Sequence, residues 1–163
     1  MGFYVEIKDS DFLIPTKHLD AAFTALKELN KNDSLKNGGN GQGNKWFAWM
    51  DPDYDKKAKD ARHIFDMLRF DSLIVEDGLW IYDYDSKWGS EDHFMHAVAP
   101  FVIDGSVILW VGEDHEYFID AFHDSKHLRL NLPLSKVEAV YTYLAKRRSG
   151  QKPSISEITN AFD

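Results

Sequence analysis

The sequence predicts a single α+β domain in which helices pack on one side of a mainly antiparallel sheet. Its 163 residues suit one domain. A composition that is 44% hydrophobic and 14% aromatic is sufficient for one core. Several predicted strands follow one another through short turns, which is typical of antiparallel sheets because parallel neighbours need long crossovers. The order of strands and helices therefore favours the α+β class.

The N-terminal segment predicts a strand followed by a helix. Apolar and polar residues alternate over residues 3–8, the pattern of a half-buried strand. Residues 9–15 are expected to turn. Thr16 is then a suitable N-cap for a helix that continues to about Lys31.

The middle of the chain predicts a loop, a second helix and a hairpin. Residues 32–45 are rich in Asn and Gly and indicate a flexible loop. Asp51-Pro52-Asp53 favours a helix N-terminus, and apolar spacing extends this helix to Leu68. The pattern predicts strands at 73–75 and 79–82, joined by a Glu-Asp-Gly turn.

The second half predicts a loop, three strands and three helices. Residues 83–89 form a polar loop, after which Ser90 caps a short helix that Pro100 ends. Ser135 and Ser154 are expected to cap the two members of a C-terminal helical pair. The predicted strands are 106–111, 116–122 and 127–132, and the helical pair is 135–162.

Acidic residues are concentrated in one segment of the chain. The net charge is −8, but residues 71–124 contain 13 acidic residues and one basic residue, Lys87. The remainder holds 14 acids and 18 bases. Such a segment is either a solvated surface or a face that meets a basic partner. Direct nucleic-acid binding is disfavoured, because it requires clustered cations and the chain has one short cluster, Lys146-Arg147-Arg148, at a predicted helix C-terminus.

Composition also bounds the cellular setting. There are no cysteines, which excludes disulfides, Cys-ligated zinc and a thiol nucleophile. The N-terminus lacks the basic and apolar regions of a signal peptide, and no run of apolar residues is long enough to span a membrane. We expect a cytoplasmic protein that binds no cofactor; its oligomeric state stays open.

The leading prediction is a non-catalytic interaction module whose acidic, aromatic-studded central face binds a partner protein with a basic surface. Charge complementarity accelerates association and fixes orientation, while aromatic side chains act as anchors. The predicted contact residues are Asp83, Asp85, Trp88, Glu91, Asp92, Glu113, Asp114 and Glu116.

Three short motifs follow one another in the acidic segment: Ala-Pro-Phe-Val at 99–102, Gly-Ser-Val-Ile at 105–108 and Gly-Glu-Asp at 112–114. With the preceding helix and strand, this order resembles small, uncharacterised bacterial and phage proteins that share an "ApyV…GSyI…GED" core, over residues 64–124. The chain departs from that pattern at residues 115–118, where His-Glu-Tyr-Phe replaces the usual Gly and Trp-Arg. The resemblance implies an α+β fold and a phage or mobile-element accessory role, such as an inhibitor of a nucleic-acid-binding protein, and implies no activity.

Two alternatives remain open from the residues alone. A small metal-dependent or acid/base enzyme would use His93 and His96, which share a helix face, with Glu113 and Asp114. The His-Glu-x-x-His signature is absent, so a hydrogen-bonded core histidine is the more ordinary explanation. A groove lined by the aromatic residues before Asp83 could instead sequester a small ligand.

Overall fold

The computed structural model describes residues 3–163. Within this range the strands are β1 (Tyr4–Ser10), β2 (Leu13–Pro15), β3 (Gly38–Gly39), β4 (Lys45–Trp46), β5 (Asp71–Val75), β6 (Gly78–Asp83), β7 (Asp85–Lys87), β8 (Val107–Gly112), β9 (Tyr117–His123) and β10 (Lys126–Leu132). The α-helices are α1 (Leu19–Leu29), α2 (Tyr54–Lys57), α3 (Ala61–Met67), α4 (Glu91–Val98) and α5 (Leu134–Arg148). Single 3-10 turns occur at Thr16–His18, Asp33–Leu35, Ala99–Phe101 and Ile155–Glu157.

The strands form antiparallel sheets, so the predicted α+β class is confirmed. The main sheet has the order β10-β9-β8-β1-β7, and a smaller sheet, here called sheet B, has the order β2-β6-β5. Every strand pair is antiparallel. Tight turns join β5 to β6, β8 to β9 and β9 to β10, as the turn residues predicted.

Helices cover both faces of the main sheet, which differs from the expectation that they pack on one side. In β8 the side chains of Ile108 and Trp110 join the core formed with α1 to α4. The alternate residues Val107 and Leu109 join a second core beneath α5. All six residues of β8 are therefore buried, as expected of a central strand with helices on both sides.

Two short strands lie where turns and loops were predicted. β2 falls within residues 9–15 and pairs with β6, while β7 falls within residues 83–89 and pairs with β1. Neither has the apolar alternation that marks a strand in the sequence. The predicted flexible loop at 32–45 contains one 3-10 turn and the two-stranded ribbon of β3 and β4.

The helix predicted from Asp51 is split in two. Ala58 has an extended backbone and ends α2. Asp60 then caps α3 by accepting a hydrogen bond from the His63 backbone N–H at 2.8 Å. An aspartate that can act as an N-cap offers the chain an alternative to continuing the first helix.

The predicted caps were right in one case of four. Ser154 accepts from the Ser156 N–H and caps the last 3-10 turn, Ile155–Glu157, so the second member of the pair predicted at 135–162 is a single 3-10 turn. Thr16 makes no capping bond, and Ser135 lies inside α5, which begins after a proline. Ser90 precedes α4 but donates its hydroxyl to Asn37.

No helix among residues 3–163 is long and apolar enough to cross a membrane.

Candidate functional site

A buried carboxylate holds together the part of the main sheet on which the candidate site stands. Asp120 of β9 is fully buried. Its Oδ1 accepts from His127 Nε2 at 2.7 Å and Arg129 Nε at 2.8 Å, and its Oδ2 accepts from Trp110 Nε1 and Arg129 Nη2, each at 2.8 Å. β8, β9 and β10 are thereby joined through side chains as well as through their backbone ladders.

Asp120 is ionised in this position. Burial alone would raise its pKa, but the Arg129 guanidinium and the hydrogen bonds from His127 and Arg129 act in the opposite direction. The pKa of Asp120 therefore lies well below its ordinary value of 3.8. The ionised Asp120 carboxylate and the Arg129 guanidinium neutralise each other at physiological pH, so this pair leaves no unpaired charge in the core.

Arg129 extends from this pair towards the surface between aromatic rings. Its guanidinium carbon lies 4.0 Å from the centroid of the Trp88 ring and 5.6 Å from that of Phe118. Phe118 also stacks on Trp110, with centroids 5.7 Å apart. Cation–π contact of this kind favours a fixed position for the arginine, so the base of the site is rigid.

Above this base lies an open hollow of about 230 Å³, the aromatic hollow. Phe3 packs against the backbone of Gly112 so closely that a Cβ atom at position 112 would lie 2.6 Å from the ring. A side chain at position 112 would therefore displace the Phe3 ring from its position at one side of the hollow. Its rim includes two exposed carboxylates, Asp114 and Glu116.

A second hollow of about 240 Å³ also contacts β1 and the end of β8. Asp85 and Glu113 line it together with Tyr4. The Tyr4 backbone N–H donates to Glu113 Oε1 at 3.2 Å, and the Glu113 N–H donates to the Tyr4 carbonyl at 2.9 Å. Val5 and Gly112 line both hollows, so the two hollows lie on either side of β1 at the same end of the main sheet.

We call this end of the main sheet the acidic end. Its carboxylates are exposed, and among residues 3–163 none of them forms an ion pair. Two aromatic side chains at the same end are also largely exposed, Phe3 at 41% and Tyr4 at 47%. The acidic end is formed by Phe3, Tyr4, Asp85, Glu113, Asp114 and Glu116.

The structure brings five of the eight predicted contact residues to the two hollows. Trp88 lies in the aromatic hollow, next to the carboxylates of the acidic end. Asp83 lies outside both hollows, opposite Asp71 in sheet B, and Asp92 is half-buried on α4. The prediction for Glu91 is wrong, because its side chain is completely buried and cannot meet a partner.

Glu91 instead closes a local hydrogen-bond network. Its Oε2 accepts from the Gly89 N–H at 2.7 Å, and its Oε1 lies 2.5 Å from the Tyr84 hydroxyl, which is also 2.7 Å from the Lys87 carbonyl. One hydroxyl hydrogen cannot serve both oxygens. A protonated Glu91 resolves this conflict by donating to Tyr84, which then donates to Lys87. Burial raises the pKa of Glu91 above 4.5, in the direction that this arrangement requires.

We therefore expect Glu91→Gln to keep the wild-type free energy of unfolding within about 0.5 kcal/mol, whereas Glu91→Ala should cost about 1–3 kcal/mol. The amide can donate to Tyr84 and accept from Gly89, so it reproduces the protonated acid. Because the pKa of Glu91 is raised in the folded state, its contribution to stability is complete below 4.5 and declines as pH rises through the folded-state pKa.

Urea unfolding at a series of pH values checks both statements. The glutamine variant should lose the part of the pH dependence that Glu91 supplies and gain relative to wild type as pH rises. A glutamine variant as unstable as the alanine variant would contradict the proposed protonation.

The two histidines of the enzyme alternative point to different surroundings. The His93 ring packs near Phe47, with centroids 6.0 Å apart, while the His96 ring lies 5.9 Å from that of His127. Neither histidine belongs to a group of three or more potential ligands among residues 3–163. The structure therefore does not assemble the ligand set that the enzyme alternative needs.

Within the described residues one other group brings three potential ligands together: Asp104, His123 and Asp124. His123 Nδ1 lies 3.0 Å from an Asp104 oxygen, and its Nε2 lies 3.6 Å from an Asp124 oxygen. Asp104 also accepts from the Asp124 backbone N–H at 2.8 Å. A metal ion would use one ring nitrogen, so two carboxylates on opposite sides of one imidazole fit a hydrogen-bonded turn better than a metal site.

Sequence reasoning missed the residues that support the site. Asp120, His127 and Arg129 become partners only when the register of β9 and β10 is known. A single carboxylate within the otherwise aromatic and aliphatic core of residues 117–122 was the available signal for a buried polar group. Phe3 was assigned to a strand but not to a binding surface.

Comparisons with protein-family models, curated proteins and solved structures found no significant match to the chain.

Proposed function

We propose that the chain is a non-catalytic interaction module whose acidic end binds a partner protein with a basic surface. The observation that carries the proposal is the grouping of four exposed carboxylates, unpaired within the described part of the chain, beside two exposed aromatic rings. Isolated surface carboxylates are ordinary. A grouped set with aromatic anchors and a rigid base has the composition of a protein-binding surface.

Electrostatics favours a cationic partner at this surface. The arginine beneath the aromatic hollow is already neutralised by Asp120, so it does not offset the charge of Asp114 and Glu116. Like charges held close together repel one another, and this repulsion is relieved when lysine or arginine side chains approach. A surface of this kind accelerates association and sets orientation, with a strong dependence on salt.

The aromatic side chains supply the contact area that charge alone does not. Phe3 immediately precedes Tyr4, the first residue of β1, and consecutive side chains of an extended chain point to opposite sides, so each ring faces one hollow. A basic side chain entering either hollow would meet both a ring and a carboxylate. Both hollows are smaller than the 300–1,000 Å³ typical of small-ligand pockets, which favours single side chains of a protein over a free ligand.

The partner class that fits best is a protein that itself binds nucleic acid, since such proteins present clustered cations. An acidic end that occupies that cluster would act as an inhibitor by imitating phosphate charge. The resemblance to phage and mobile-element proteins supports an accessory role of this type in the cytoplasm, where a chain without cysteines needs no oxidising environment.

The test begins with affinity purification from a lysate of the host cell and identification of the partner. We expect the quadruple variant Asp85→Lys, Glu113→Lys, Asp114→Lys and Glu116→Lys to bind that partner on the order of 100-fold more weakly and with a flatter salt dependence. A matched control carries lysine at Asp20, Asp53, Glu138 and Asp163, which are exposed carboxylates outside the acidic end. Equal binding by the two variants would show that total charge, and not the acidic end, determines recognition.

A further inference from the structure

The strand β5 is an open and apolar edge of sheet B. Its pairing partner is β6, and it is the last strand in the order β2-β6-β5. Leu73, Ile74 and Val75 are 43%, 54% and 37% exposed. Proteins normally protect edge strands with charged side chains, bulges or covering elements. Without such protection, the unpaired backbone N–H and C=O groups of the edge strand can form hydrogen bonds with another chain. β5 lacks this protection over three consecutive residues, because all three are exposed and aliphatic.

The backbone of Ile74 faces the open side of the sheet. The Ile81 N–H donates to the Phe12 carbonyl at 3.3 Å, so Ile81 directs its backbone groups towards β2. Ser72 lies opposite Ile81 and therefore directs its own groups away from β6. Its carbonyl accepts from Arg62 of α3 at 2.9 Å, which confirms that direction. Because residues two apart point the same way, the N–H and C=O of Ile74 are available to an added strand.

The outward face beside this edge is apolar and rigid. The register places Leu73 opposite Trp80, so Leu73 and Val75 share a face with Trp80 and Tyr82. The Trp80 and Tyr82 ring centroids are 5.2 Å apart. Trp80 Nε1 donates to the Ser10 carbonyl at 3.0 Å, which fixes the indole ring. An added strand could therefore rest its alternate side chains on an existing platform.

Acidic residues flank the edge at both ends. Asp71 begins β5, and Glu76 and Asp77 follow its end; all three are exposed and form no ion pair within the described part of the chain. A hollow of about 450 Å³ beside Asp71 also contains the carboxylates of Asp60 and Asp66. Arg62 also lines this hollow and donates to the Ser72 carbonyl, but it is one cation against three carboxylates, so the local charge favours an approaching cation.

The flanking carboxylates distinguish between two candidate partners for β5, a second copy of this chain and a segment of another protein. A second copy of the chain, paired antiparallel about Ile74, would place Asp71 of each copy directly opposite Asp77 of the other. Like charges in directly opposed positions destabilise a sheet, and two-fold symmetry would impose the penalty twice. A foreign segment with lysine or arginine at its ends meets the same carboxylates favourably.

We propose that β5 accepts an extended segment of a partner protein by strand addition, with apolar residues at its centre and lysine or arginine at both ends. Backbone hydrogen bonds at Ile74 supply affinity in this mode, and flanking charges supply selectivity. The edge is separate from the acidic end, so this binding does not depend on the function proposed above.

The probe is a fluorescein-labelled peptide in which five alternating valine and threonine residues lie between two lysines at each end. We expect saturable binding by fluorescence anisotropy. Binding should weaken at least about tenfold when the lysines are replaced by glutamates, and again when the central valine is replaced by proline, which removes a backbone donor. Because these comparisons use the wild-type chain, they do not depend on the folding of any variant.

Two chain variants locate the binding. The triple variant Asp71→Lys, Glu76→Lys and Asp77→Lys should weaken peptide binding by at least about tenfold, while the quadruple lysine variant of the acidic end should bind the peptide as wild type does. The proposal is overturned if the peptide does not bind, if binding is lost in the acidic-end variant and kept in the triple variant, or if sedimentation shows a dimer that Ile74→Lys dissociates.

Discussion

Replacing Asp120 with alanine is expected to lower the free energy of unfolding by about 3–5 kcal/mol, because it breaks a buried ion pair from one side. The carboxylate accepts hydrogen bonds from Trp110, His127 and Arg129. Without it, the Arg129 guanidinium stays in a side chain that is 21% exposed and has no counter-ion. Equilibrium unfolding in urea, followed by tryptophan fluorescence, measures the loss.

Matched variants separate this effect from a general cost of removing an acid. Asp85→Ala removes an exposed carboxylate from the same sheet and should change the free energy of unfolding by less than about 0.5 kcal/mol. The double variant Asp120→Leu with Arg129→Met removes both charges and should recover a substantial part of the loss. An Asp120→Ala variant as stable as wild type would show that the buried pair contributes little.

The Asp120–Arg129 pair also makes the free energy of unfolding depend on pH in the acidic range. The pKa of Asp120 is lowered in the folded state, so its contribution is present above the ordinary value of 3.8 and is lost as pH falls below it. The Asp120→Ala variant should lack this component of acid unfolding. Its stability should therefore approach that of wild type as the pH is lowered.

The sequence predicted the elements that carry their own periodicity. β1, β8, β9 and the hairpin of β5 and β6 lie within about two residues of the predicted bounds because apolar alternation and turn residues mark them locally. β2 and β7, each three residues long, depend on pairing with β6 and β1, which are distant in the chain. The pairing of distant segments is decided by tertiary packing, which local patterns do not encode.

The candidate site was predicted in composition and not in detail. Glu113, Asp114 and Glu116 lie within four consecutive residues, so their grouping follows from one hairpin turn. Asp85 joins them because β7 and β8 both pair with β1. Glu91 has the same charge but begins α4 with its side chain directed into the core. Acidity alone cannot distinguish these cases, since the direction of a side chain depends on how the helix packs.

Asp11→Ala is expected to lower the free energy of unfolding by about 3 kcal/mol and to loosen α5, because it leaves the Arg147 guanidinium and the Val107 N–H without their side-chain acceptor. Asp11 Oδ2 accepts from Arg147 Nε of α5, and its Oδ1 accepts from the Val107 N–H of β8 at 2.9 Å. The carboxylate thus links the helix to the central strand while it is 15% exposed. Hydrogen exchange of the α5 amides, together with urea unfolding, measures both effects.

Asp11→Asn should cost only about 1 kcal/mol, because the amide oxygen keeps an acceptor while the charge itself adds little. Burial raises the pKa of Asp11 by more than Arg147 lowers it, so the stability linked to its titration is complete below 3.8 and declines as pH rises through the folded-state pKa. The neighbouring pair of Arg148 and Asp9 is a control, since Arg148 is 49% exposed and Arg148→Ala should cost less than about 1 kcal/mol. Equal losses in the alanine and asparagine variants of Asp11 would mean that charge, and not hydrogen bonding, fastens α5 to the sheet.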